Sequence, residues 1–306
     1  MARRKKQDAG QIPLLELQLK TAPCVPAIRE AVRAWREDGR YAGATATSKT
    51  LLNYWFRTDH RLPNGRKFSY FPFQREAIET LIYLYEVAAV RRHKALLETY
   101  AQAMGGQLRL LQYDDFPRYC IKMATGSGKT KVLSLAVAWQ YFNAVLEDAS
   151  LYARTHLLIA PNVIVYERLQ ADFAGGRIFK VDPVIPPELK LYWDMEFYMR
   201  GEGERASSSG ALYLTNIQQL YEREVNAGDG DEPEIMMQVL GPVPPAVLSP
   251  VEGFDSRILK RGGPVFVAND EAHHTHDEES EWNKTIRRLH AGLTAAQAGN
   301  GVLQLD

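Results

Sequence analysis

At 306 residues, with 45% hydrophobic and 24% charged side chains, the chain is composed like a globular protein and not like a disordered one. At roughly 100–200 residues per domain, this length accommodates two structural units, or one large unit with additions. The 37 Lys+Arg residues balance 37 Asp+Glu, so no bulk polycation effect draws the chain to nucleic acid, and any such binding needs a local patch.

Cys24 and Cys120 are too few for a disulfide scaffold or a cysteine zinc site and point to a reducing, cytoplasmic setting. The basic start, Arg3–Lys6, is followed by polar residues 7–11 and not by an apolar signal core. It reads as a solvated tip, with nucleic-acid contact as the alternative. No apolar run approaches the ~18 residues that span a membrane.

Residues 25–40 read as an amphipathic helix, with Pro26 in its first turn and Gly39 to end it. A second helix is expected over 48–57, capped by Thr47 or Ser48, followed by a turn at Pro63-Asn64-Gly65. Helical spacing from Phe73 to Thr99 predicts a long helix broken near Arg91-Arg92-His93. Strands and helices then alternate: a strand at 119–123, a glycine-rich turn at 126–130, a helix at 131–146, a strand at 155–160 and a helix at 163–173. Further strands are expected at 211–214, 264–268 and 301–305, with a helix at 215–224. Residues 199–210 read as a loop, and residues 226–256, rich in acids, Pro and Gly, as a long insertion. Short apolar strands between helices predict an α/β fold, a mainly parallel sheet covered by helices on both faces.

The most specific motif is ATGSGKT at 124–130, set between an apolar strand and a helix as a phosphate loop requires. Gly126 and Gly128 permit close approach of backbone N–H groups to phosphate oxygens, helped by Thr125 and Ser127. Lys129 suits the β- and γ-phosphates, and Thr130 suits Mg²⁺. Met123 departs from the strict pattern, which has Gly or Ala there. The second motif is Asn269-Asp270-Glu271-Ala272-His273, a carboxylate pair after a buried strand. Asp270 fits the metal-holding carboxylate and Glu271 the group that orients or deprotonates water, with helix capping as the bland alternative. His273 reads as part of the same network, while His274 and His276 read as surface residues and not zinc ligands. Third, Phe68 to Phe73 followed by Gln74 offers rings and an amide suited to adenine, against a plain core-packing alternative.

Gln74, the ATGSGKT loop and the Asp-Glu-Ala-His box, in this order, resemble superfamily 2 helicases of the DEAD/DEAH type. The wording IKMATGSGKT, LLIAPNVIVYERL and LTNIQQLY is similar to the helicase (Res) subunit of type III restriction enzymes. The resemblance covers about residues 66–306. It implies an RecA-like first motor domain over 61–306, with residues 1–60 as a helical extension of unassigned role. It further implies ATP and Mg²⁺ as cofactors, DNA translocation in a defence system, and a modification (methyltransferase) subunit as partner. Pro161-Asn162 and Thr215-Asn216 correspond to its strand-contacting motifs, which hold phosphates without reading bases. Arg168 is a weaker candidate, since a solvated helix face explains it equally. The family's second motor domain and nuclease do not follow Asp306, so the expectation is an N-terminal fragment with little turnover of its own. A DNA- or partner-binding fragment without catalysis, and a phosphate-loop ATPase acting on protein, are the competing readings.

Overall fold

The structure is a computed structural model that describes residues 22–101, 114–199, 202, 208–216, 254–270, 281–296 and 301–306. The described residues open with helices α1 (Val25–Glu37) and α2 (Ala46–Arg57), then a small antiparallel pair, β1 (His60–Arg61) and β2 (Lys67–Phe68). Helix α3 (Pro72–Ile82) runs into a π-helical turn at Tyr83–Val87, and α4 (His93–Tyr100) follows. The alternating part comprises β3 (Arg118–Tyr119), α5 (Lys129–Leu146), β4 (Thr155–Ala160), α6 (Val163–Phe173), α7 (Arg177–Val181), β5 (Met195–Tyr198), β6 (Gly210–Asn216), α8 (Phe254–Arg261), β7 (Val265–Asn269), α9 (Glu281–Ala296) and β8 (Val302–Leu305).

Among the described residues, six strands form one sheet in the order β3-β8-β7-β4-β6-β5, and each of these pairings is parallel. The central strands are buried along their whole length, as a sheet covered on both faces requires. Alternation sorts their side chains. Leu158, Ala160, Leu212, Leu214, Phe266, Ala268, Leu303 and Leu305 face the larger core. Leu157, Ile159, Tyr213, Val265, Val267 and Val302 face a second core, closed by Ile258 of α8 and by Ile286, Leu289 and Leu293 of α9. This is the RecA-like α/β arrangement.

Helix α5 is buried from Val132 to Ala144, so it has no solvent face. A helix apolar all round belongs between two layers. The sheet lies on one side, and α2 and α3 cover the other. The N-terminal helices therefore share the larger core: Ile28, Val32, Trp35, Leu51, Leu52 and Trp55 join Leu135, Trp139 and Phe142. Two acids bind these layers by polar contacts. Glu79, with a fully buried side chain, accepts from Tyr41 Oη (2.6 Å), Arg75 Nε (2.8 Å) and Arg36 (2.7 Å). Burial and then the Glu79 carboxylate push the Tyr41 hydroxyl up to about 12. Glu86, on the π-turn, accepts from Ser48 Oγ (2.6 Å), the Thr45 N–H (3.1 Å) and Trp139 Nε1 (2.7 Å).

Several boundaries differ from the sequence expectation. Helix α2 starts at Ala46 because Thr45 caps it, accepting from the Ser48 N–H at 2.9 Å. Strand β3 stops at Tyr119 and not Met123, although the Ile121 N–H still donates to the Asp306 carbonyl. Thr215 and Asn216 are the buried last residues of β6, not the start of a helix, because their backbone pairs with Ile159 and Ala160 of β4. Helix α8 occupies the end of the segment read as an insertion, and β5 was not expected at all. The rest of the insertion, and residues 217–224, lie outside the described residues.

Candidate functional site

In a parallel sheet, every strand presents its carboxyl end to the same edge. The 124–130 loop leaves that edge after β3, Asn162 after β4, Asp270 after β7 and Asp306 after β8. Tyr119 pairs with Leu305, and Leu305 with Ala268, so β3 and β7 flank β8 in level register. Two strand spacings put the two backbones about 10 Å apart. The glycine-rich bend and Asp270 thus share one edge, a crevice where open α/β sheets hold ligands.

The bend is built for an anion. Gly126 has φ +76°, and a Cβ there would meet nothing within 4 Å, so the backbone is open on that side. Gly128, at φ +81°, is the N-cap of α5 and offers no side chain to the first-turn N–H groups. Those amides and the positive end of an 18-residue helix attract negative charge. Ser127 is folded back, its hydroxyl donating to the Ala124 carbonyl at 2.6 Å. Lys129 and Thr130 are the first two residues of α5 at the bend, while Lys131 pairs with Asp182 and lies over the Phe68 ring.

Gln74 meets the bend directly. Its Nε2 donates to the Ser127 carbonyl at 2.9 Å, and its Oε1 accepts the Phe71 N–H at 3.0 Å. The side chain caps α3 and clasps the loop, and the residue is only 2% exposed. The neighbouring rings divide into two sets. Phe68 and Tyr70 meet edge-on and pack inward, whereas Phe71 and Phe73 stack on each other, 60% and 45% exposed.

On the other wall, the Asp270 N–H donates to the Ile159 carbonyl at 3.1 Å. Its nearly buried carboxylate takes Arg168 Nη2 at 2.5 Å. Beside it, Asp306 receives Arg118 Nε (2.6 Å), Gln304 Nε2 (2.7 Å) and Asn269 Nδ2, tying β3, β8 and β7 together at the edge. Neither contact is legible in the sequence pattern. The available signal for Asp306 was a carboxylate ending an apolar strand, the same signal that singled out Asp270.

Asn162 caps α6, accepting the Val165 N–H at 2.9 Å, and follows Pro161 at the same edge. Asn216 ends β6 nearby in register, fully buried with Thr215. Glu271, His273, His274 and His276 lie outside the described residues. Among the described residues no group of His, Cys, Asp and Glu is arranged to hold a metal by itself. The Thr130 hydroxyl and the Asp270 carboxylate are oxygen donors of the kind that suits magnesium, a cation held by one or two carboxylates plus phosphate. No described helix is long and apolar enough to cross a membrane.

Among known proteins, the sequence model of one family, described as type III restriction enzyme, res subunit, matches residues 67–296. No curated protein and no solved structure matches the chain.

Proposed function

Because the chain belongs to the res-subunit family of type III restriction enzymes and so carries a helicase-like, nucleotide-binding domain, we propose that it is the first motor domain of an ATP-driven DNA translocase serving a defence system. The observation that carries this reading is the shared edge: the open bend at Gly126–Gly128 and the carboxylate of Asp270 end neighbouring parts of one parallel sheet. In this reading the bend and the α5 amides cradle the phosphates, with Thr125 and Ser127 supplying backbone N–H groups. Lys129 neutralises the β- and γ-oxygens. Thr130 and Asp270 hold magnesium, which when bound screens charge developing on the transferred phosphoryl group. By the motif's pattern, Glu271 would orient or deprotonate the attacking water, and His273 would belong to the same network. Gln74 sets the loop against α3, and the exposed Phe71–Phe73 pair offers a face to the base.

Pro161 and Asn162 are proposed to lie along one strand of DNA, with Thr215 and Asn216 behind them. Their place at the carboxyl edge supports this for the Pro161-Asn162 turn. The burial of Thr215 and Asn216 gives them a supporting part beneath the contact. The competing class is an ATPase that acts on protein. Fluorescence anisotropy of a labelled single strand, with and without a non-hydrolysable ATP analogue, separates the two. The proposal predicts binding that is indifferent to sequence, falls with salt and changes with nucleotide. No strand binding in either nucleotide state would favour the protein-directed reading.

A further inference from the structure

A cation already occupies the carboxylate assigned above to magnesium. Arg168 Nη2 lies 2.5 Å from Asp270 Oδ2, and the two side chains are 47% and 2% exposed. The partners differ in freedom. Asp270 is fixed by its N–H bond to Ile159, at the end of a strand buried throughout. Arg168 stands on the half-open face of α6 and carries a long, flexible stem. Any opening of the pair is therefore a movement of the arginine.

The physical need for Arg168 is plain. A carboxylate so nearly buried is costly to keep ionised without a counter-ion. The guanidinium offsets that cost by pairing directly with Oδ2. Magnesium coordinates carboxylate oxygen at about 2.0–2.1 Å, or through one of its own waters, and would neutralise the same charge. A guanidinium on Oδ2 and a dication at the same carboxylate repel each other strongly at this range.

We propose that Arg168 is a resident counter-ion of Asp270 that must be displaced for the site to take up magnesium, so that arginine and metal compete for one carboxylate. This makes Arg168 a positioning residue that sets the magnesium concentration at which nucleotide is held. It rests on the reading of Asp270 as the metal-holding carboxylate.

The test titrates magnesium into the whole chain with a fluorescent ATP analogue and reads the midpoint of nucleotide binding, independent of turnover. Arg168→Gln is expected to lower that midpoint about tenfold, within the usual span of coupling between two sites. Arg168→Lys, which keeps the charge, is expected to stay close to wild type. Arg168→Met serves as the second charge-removing variant should Arg168→Gln fail to fold. A merely structural role would lower the melting temperature without moving the midpoint, and that result overturns the proposal. Asp270→Asn is the control for the underlying reading. If it abolishes the magnesium dependence while Arg168→Gln leaves the midpoint unchanged, the competition fails and the assignment of Asp270 survives. If Asp270→Asn leaves the magnesium dependence intact, the assignment itself fails.

Discussion

Gly128→Ala probes the joint between the glycine-rich bend and Gln74. Gly128 sits at φ +81°, and a Cβ built there would lie 2.4 Å from Gln74 Nε2. Two costs follow. Placing alanine in the left-handed region costs about 1–2 kcal/mol. Pushing Gln74 off the Ser127 carbonyl leaves a buried amide without its partner, about 1–3 kcal/mol more. The expected total is about 2–5 kcal/mol, read from urea unfolding as a lower midpoint with an unchanged slope. The two costs separate in a double-mutant cycle. In a Gln74→Ala background the collision is gone, so Gly128→Ala should cost only the backbone share, about 1–2 kcal/mol. An equal cost in both backgrounds would refute the idea that Gln74 clasps the bend. A cost below about 0.5 kcal/mol in wild type would refute the strained geometry as well, since that is the size of an ordinary surface substitution.

His156 is buried in β4, and burial pushes its pKa down to about 4. The unfolded chain, with an ordinary histidine near 6.5, binds this proton first. Stability is therefore full above about pH 6.5 and falls as pH drops towards 4, by about 2 kcal/mol at pH 5. Urea midpoints at pH 7 and pH 5 check this, and His156→Phe, able to pack against Phe266, should flatten that part of the difference. Glu79→Gln removes the one carboxylate that serves Arg36, Arg75 and Tyr41, and should cost about 2–3 kcal/mol in unfolding free energy. An effect under about 0.5 kcal/mol would mean the cluster is neutral for stability. Asp306→Asn should loosen Arg118 and Asn269 together, weakening nucleotide binding more than overall stability, as compared by titration and melting of the same sample.

What was legible in the sequence tracks how local the cause is. Strand 155–160 and helix 163–173 have the same limits in sequence pattern and structure, because a turn at Pro161-Asn162 separates two apolar runs of different period. The bend was legible because two glycines and a following helix act locally. The end of β6 was not. Thr215 and Asn216 look like a polar helix start, yet pairing with β4 holds them extended, a contact made across more than fifty residues of chain. Strand β5 was missed for a similar reason: Met195–Tyr198 is too short for a pattern, and it exists because β6 offers an edge. Arg168 is the clearest case at the site. Helical spacing cannot tell a solvated arginine from one whose guanidinium reaches a carboxylate on another strand. Gln74 stands out in the sequence for its amide, and the contact of that amide with Ser127 is made across the fold and is not legible there.

The proposed function holds nucleotide and magnesium between the Gly126–Thr130 bend and Asp270. Isothermal titration of an ATP analogue into the chain, with and without magnesium, measures it most directly. Binding should be saturable and magnesium-dependent, and Lys129→Ala and Asp270→Asn should each weaken it by tenfold or more, about 1.4 kcal/mol or above. Binding that ignores magnesium and survives both substitutions would contradict the proposed function.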